Sequence, residues 1–115
     1  MTLLDRETDF VRVCALDSLT PDRGVAALVD DRAIAVFRLS CGALHAVDNI
    51  DPFSGASVLS RGLIGDADGV VTVASPIYKQ RFDLATGTCL DDDVVAIVVH
   101  EVTVIDGAAH VRLRR

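Results

Sequence analysis

Apolar positions in this chain come in short runs of Val, Ile and Ala, broken by Gly, Asp and Pro, with no 3.6-residue rhythm. That is the pattern of strands. FVRVCAL (10–16) is the first, ended by the Pro-Asp turn of LTPDRG. VAALVD and AIAVFRL flank Asp30-Asp31-Arg32 as a hairpin, and Ser40–Gly42 turns the chain into ALHAVDN, so three strands form a meander. GLIGDADG reads as a turn-rich stretch, and VVTVAS (70–75) as a strand halted by Pro76. QRFDL is a short alternating strand closed by the glycine turn ATGT. VVAIVVHEVTVI (94–105) is too long for one flat strand and is expected to bend midway. Asp106-Gly107 is a two-residue hairpin signal, after which AHVRL returns. Only GASVLSRG has room for a helical turn. About nine short strands predict an all-β chain, a small antiparallel sandwich or barrel, with 1–115 as one domain.

Composition narrows the function classes. Trp is absent, so the core must be aliphatic. The net charge of -6 argues against nucleic acid, which needs clustered Lys and Arg; the terminal VRLRR reads as a solvated end. No apolar run approaches the ~20 residues that cross a bilayer, and MTLLDRETDF is too polar for a secretory signal. No membrane association and a cytoplasmic location are the expectations. Cys14, Cys41 and Cys89 are odd in number and unpaired in spacing, which suits separate reduced thiols.

Motifs of catalysis are missing. His45, His100 and His110 share no ligand spacing, and no nucleophile elbow or phosphate loop occurs. They are expected as half-buried or surface strand residues. Asp30-Asp31 and Asp91-Asp92-Asp93 sit at turns, where solvated charge is the simpler reading and a cation site at 91–93 the weaker one. No catalytic, cofactor-binding or metal-binding residue is expected in this chain.

Two loops remain: NIDPFSGA (49–56) and ASPIYKQRFDLATG (74–87), each with an X-Pro pair after a strand. Here the chain resembles the Rieske-type iron–sulfur domains, whose loops read C-P-H-x-G and C-P-x-H, the second followed by F-D-x-x-T-G. DPFSG and SPIY…RFDLATG keep that frame, and GALHAVDN is similar to the strand entering the first loop. The resemblance implies a Rieske-like fold with both loops at the former cluster end. At its four ligand positions stand Asp51, Phe53, Ser75 and Tyr78. A Rieske centre needs two thiolates and two imidazoles, so no cluster is expected. Phe53 and Tyr78 are expected to face each other and fill the vacated volume, with the Tyr78 hydroxyl reaching Asp51 or Ser75. Either these residues only plug the old site, or Pro52, Phe53, Pro76, Ile77, Tyr78 and Lys79 form a docking surface; the two readings are compatible.

The D-P-F-S loop and the K-Q-x-F that follows the second one resemble the small subunits of NAD(P)H-dependent assimilatory nitrite reductases. That resemblance implies a large catalytic subunit as partner, carrying FAD, an iron–sulfur cluster and sirohaem, which reduces nitrite to ammonium. This chain would be its non-catalytic accessory subunit. The alternatives are a stand-alone interaction or small-molecule-binding module and, against the ligand losses, an electron-transfer ferredoxin.

Overall fold

The structure is a computed structural model that describes residues 10–114; the reading of the polar N-terminus at 1–9 lies outside them. Nine strands follow in order: β1 (Val11–Ala15), β2 (Arg23–Val29), β3 (Arg32–Arg38), β4 (Leu44–Asp48), β5 (Leu63–Ala67), β6 (Val70–Ala74), β7 (Arg81–Asp83), β8 (Val99–Ile105) and β9 (Ala108–Arg112). They pair antiparallel in a six-stranded sheet, β1-β9-β8-β4-β3-β2, and a three-stranded sheet, β5-β6-β7. The all-β expectation holds, and the meander of β2, β3 and β4 is present.

Turn chemistry sets the hairpins. Asp30-Asp31, Asp68-Gly69 and Asp106-Gly107 each have φ > 0 at both positions, as a two-residue turn matched to strand twist demands. The expectation for GLIGDADG is corrected: its first residues form β5, whose Gly65 and Asp66 disguise a strand, and only Asp68-Gly69 turns. The long 94–105 run does break midway, because only Val99–Ile105 enters a ladder; Val94, beside the Asp91–Asp93 turn, is 86% exposed. One 3-10 turn, Leu59–Arg61, falls inside GASVLSRG, while another, Leu16–Ser18, had no forewarning.

Strand β3 explains its own composition. Ala35 and Phe37 face a core with Val47, Leu59, Val73, Phe82, Leu84 and Ile97. Ile34 and Val36 face a second core with Leu19, Ala46, Ala109 and Val111. A strand buried on both faces reads as a continuous apolar run. The first core joins the two sheets and lies directly beneath the two loops.

His100 corrects the expectation for the histidines: its side chain is fully buried, not half-buried. The Arg114 N–H donates to Nδ1 at 3.0 Å, which places the ring proton on Nε2, 2.7 Å from Asp48 Oδ1. Arg32 binds Asp48 through Nε and Nη2, both at 3.1 Å, and donates from Nη1 to the Arg114 carbonyl at 3.0 Å. Three side chains thus clasp the end of the described chain against β4.

Candidate functional site

Both loops are copies of one turn. In the first, the Asp51 N–H donates to the Ala56 carbonyl at 2.8 Å, and the Gly55 N–H donates to the Asp51 carbonyl at 2.7 Å. The Phe53 N–H donates to Asp51 Oδ1 at 2.8 Å. In the second, the Ser75 N–H donates to the Gln80 carbonyl at 2.9 Å, and the Lys79 N–H to the Ser75 carbonyl at 3.0 Å. The Ile77 N–H donates to Ser75 Oγ at 3.2 Å. Residue i+1 is proline in each, and residue i+4, Gly55 or Lys79, is left-handed with φ of 76° or 67°. An Asp or Ser side chain that accepts from the N–H two residues on is the local reason such turns form.

Asp83–Thr88 repeats the pattern a third time. The Asp83 N–H donates to the Thr88 carbonyl, the Gly87 N–H to the Asp83 carbonyl and the Ala85 N–H to Asp83 Oδ1. The F-D-x-x-T-G signature is therefore a turn signature. Its Gly87 has φ of 84° and lies against the Ile97 carbonyl, so a side chain has no room.

The first residues of the two loops meet. Ser75 Oγ donates to Asp51 Oδ2 at 2.6 Å, and both residues are fully buried. Asp51 thus spans two roles, one oxygen holding its own loop and the other joining the opposite loop. Beside it, buried Asn49 ties the first loop to the 3-10 turn: its Oδ1 accepts from the Ser60 N–H at 2.7 Å, and its Nδ2 donates to Ser57 Oγ at 3.2 Å. In the sequence Asn49 stands out only as the first residue of NIDPFSGA. An Asn two residues ahead of an X-Pro pair, a residue type whose side-chain oxygen caps backbone N–H groups, is the signal that the sequence carries.

The aromatic expectation is corrected. Phe53 packs against Phe82, ring centroids 6.3 Å apart and tilted by 45°, while Tyr78 is 58% exposed. Phe53 therefore joins the existing core, and the bond that Tyr78 was expected to make is made by Ser75. Pro52, Pro76, Ile77, Tyr78 and Lys79 lie exposed along the loop tips. Lys79 Nζ donates to the Pro76 carbonyl at 3.3 Å, and Arg81 is held by Asp91 through Nε and Nη2. Asp91, of the 91–93 run read as a weaker cation site, is thus engaged by Arg81, whose guanidinium holds its carboxyl below the usual carboxylate range.

The donor set does not fit a two-iron centre. Phe53 has no donor atom, and Asp51 and Ser75 offer hard oxygens already spent on each other. The three cysteines lie outside both loops, and among the described residues no group of three or more His, Cys, Asp or Glu could hold a metal ion.

Comparison with known proteins agrees with the loop frame. The family described as Rieske-like [2Fe-2S] domain matches residues 9–112. The small subunit of nitrite reductase (NADH) from Escherichia coli K12 is 43% identical over 101 residues, covering 87% of this chain and 94% of the relative. A crystal structure described as an NADH-dependent nitrite reductase small subunit from Mycobacterium tuberculosis superposes with a TM-score of 0.86 at 49% identity, covering 89% of this chain and 92% of the other. A stretch of the Klebsiella oxytoca nitrite reductase [NAD(P)H] large subunit is 42% identical over 95 residues, covering 83% of this chain but only 10% of that protein. Fold, loop frame and relatives together show that the chain belongs to the Rieske-like [2Fe-2S] domain family and, within it, to the nitrite reductase small subunits.

Proposed function

We propose that this chain is a cluster-free accessory subunit of an NAD(P)H-dependent nitrite reductase, docking its loop end on the large catalytic subunit. The observation that carries the reading is the buried Ser75–Asp51 hydrogen bond. It closes the two loops on each other, so the end of the domain stays shaped without a metal. No residue of this chain then performs a redox step. FAD, sirohaem and the iron–sulfur cluster belong to the partner, and the complex works in the cytoplasm.

The docking surface is Pro52, Phe53, Pro76, Ile77, Tyr78 and Lys79. Ile77 and Tyr78 are exposed apolar and amphipathic side chains at adjacent tip positions, with a proline on each loop to stiffen them. Aromatic residues with a polar tip suit the centre of such a contact. Ile77 is 43% exposed, so burying the rest of it is worth roughly half of the ~1.5–3 kcal/mol that a fully exposed side chain gives. The Klebsiella large subunit supports the pairing, since it carries a related stretch within its own chain.

The test is co-purification of this chain with the large subunit from the same source. A complex whose nitrite turnover or stability depends on this chain, and which Ile77→Asp or Tyr78→Asp weakens at least tenfold, is the expected result. No association, or one indifferent to both substitutions, removes the docking reading.

A further inference from the structure

Among the described residues, strand β2 ends the six-stranded sheet and pairs on one side only. It runs in unbroken register with β3 over seven residues. Between Arg23 and Asp30 its sequence, GVAALV, contains no charge and no proline. Edges of this kind are normally blunted by charge, proline or bulges. The other edges are: β1 carries a register shift between Arg12 and Cys14, β7 has three residues, and β5 contains Gly65 and Asp66.

The open groups of β2 follow from its turn. A two-residue turn at Asp30-Asp31 makes Val29 and Arg32 a hydrogen-bonded pair. By alternation Val25 and Ala27 also bond β3, and Gly24, Ala26 and Leu28 aim their N–H and C=O groups outward. Ala33, opposite Leu28, confirms the phase, because its carbonyl accepts from Asn49 on the far side at 3.0 Å. Leu28 is 73% exposed.

The charges at the ends of β2 select its occupant. Arg23 stands at the start, with Arg61 on the same groove, and Asp30-Asp31 stand at the end. An added strand, antiparallel like every other pair in the sheet, must be acidic where it meets Arg23 and basic where it meets the aspartates. Its middle must be apolar and small. β2 itself meets that description.

We propose that the protein forms a two-fold dimer through β2 of a second copy, continuing the sheet across both molecules. Among the registers that join outward-facing groups, centring on Ala26 sets Asp22 opposite Asp30 of the other copy, which repels. Centring on Ala27 sets Arg23 opposite Asp31 and bonds Ala26 to Leu28, twice by symmetry. Leu28 then lies over the small Ala26 of the second copy, diagonal to its Gly24. There it meets the mouth of a groove of about 410 Å³ lined by Asp22, Arg23, Gly24 and Ser60–Leu63. Exposed Leu63 gives that groove an apolar wall. An edge contact of this size belongs among the weak interfaces, so the dimer forms at micromolar to millimolar protein.

The test is sedimentation of the full chain over that concentration range, with melting temperatures as a folding control. The wild type is expected to approach twice its monomer mass. Ala26→Pro removes an outward N–H and breaks no bond to β3, and is expected to leave a folded monomer. Arg23→Asp and Asp31→Lys are each expected to weaken association at least tenfold, and an equimolar mixture of these two variants to restore it. A wild type monomeric at millimolar concentration overturns the proposal, as does a dimer that survives Ala26→Pro, or a mixture that associates no better than either variant alone.

Discussion

The Ser75 hydroxyl donates to the Asp51 carboxylate across 2.6 Å, joining two loops that lie 24 residues apart in sequence. Both residues also brace their own turns, so one bond fixes the relative position of the whole loop end. Ser75→Ala leaves Asp51 Oδ2 buried without its donor, and such a loss costs ~1–3 kcal/mol. Urea unfolding is expected to show a lower midpoint at unchanged m. Ser75→Thr, which keeps the hydroxyl, is expected to lose less. Equal losses for the two would show that volume, not the bond, matters there.

Gly87 closes the third of the repeated turns, with a left-handed backbone against the Ile97 carbonyl. Gly87→Ala combines a positive-φ penalty of ~1–2 kcal/mol with a collision against backbone that cannot swing away. A loss of about 3 kcal/mol is expected in chemical denaturation. Gly55→Ala has the same sign of φ but open space around it, and is expected to lose only the conformational part.

Burial pushes the His45 imidazole below its usual value, against weaker opposing effects from the Leu84 backbone and Asp83. The unfolded chain therefore binds the proton more readily. Stability from this group is complete above about pH 6.5 and is lost as pH falls through the depressed folded value. His45→Gln is expected to flatten the acid side of the stability profile over that window. An unchanged slope would remove the assignment.

The cysteines are expected to differ in reactivity. Cys41 is exposed in a turn, Cys14 is partly buried with its thiol pushed up by burial, and Cys89 is buried in the core. A disulfide-exchange reagent at neutral pH should modify Cys41 first, Cys14 slowly and Cys89 only on unfolding. Fast reaction at Cys89 in the native protein would contradict the packing described.

How much of this was legible in the sequence depended on how local the signal was. The Asp-Gly and Asp-Asp turns, the meander and the X-Pro loops follow from a few adjacent residues. Strand β5 was missed because pairing with β6, not its own composition, makes it extended. The midway bend of 94–105 was legible from length, but not its form: the β-branched composition of 94–98 favours a strand, and the adjacent aspartate turn leaves Val94 in solvent. Within the site, the ligand positions could be counted along the chain, but their partners could not. Phe53 chose Phe82 over Tyr78, and Asp51 chose Ser75, because the second loop turns its tip outward. The Arg32–Asp48–His100 clasp joins β3, β4, β8 and the chain end, and no spacing rule connects them.

The most direct measurement is iron and acid-labile sulfide in the folded chain after anaerobic reconstitution with both. Loops already closed by the Ser75–Asp51 hydrogen bond predict a colourless protein with neither element in stoichiometric amount. Two irons and two sulfides per chain, with visible absorption that survives gel filtration, would contradict the account.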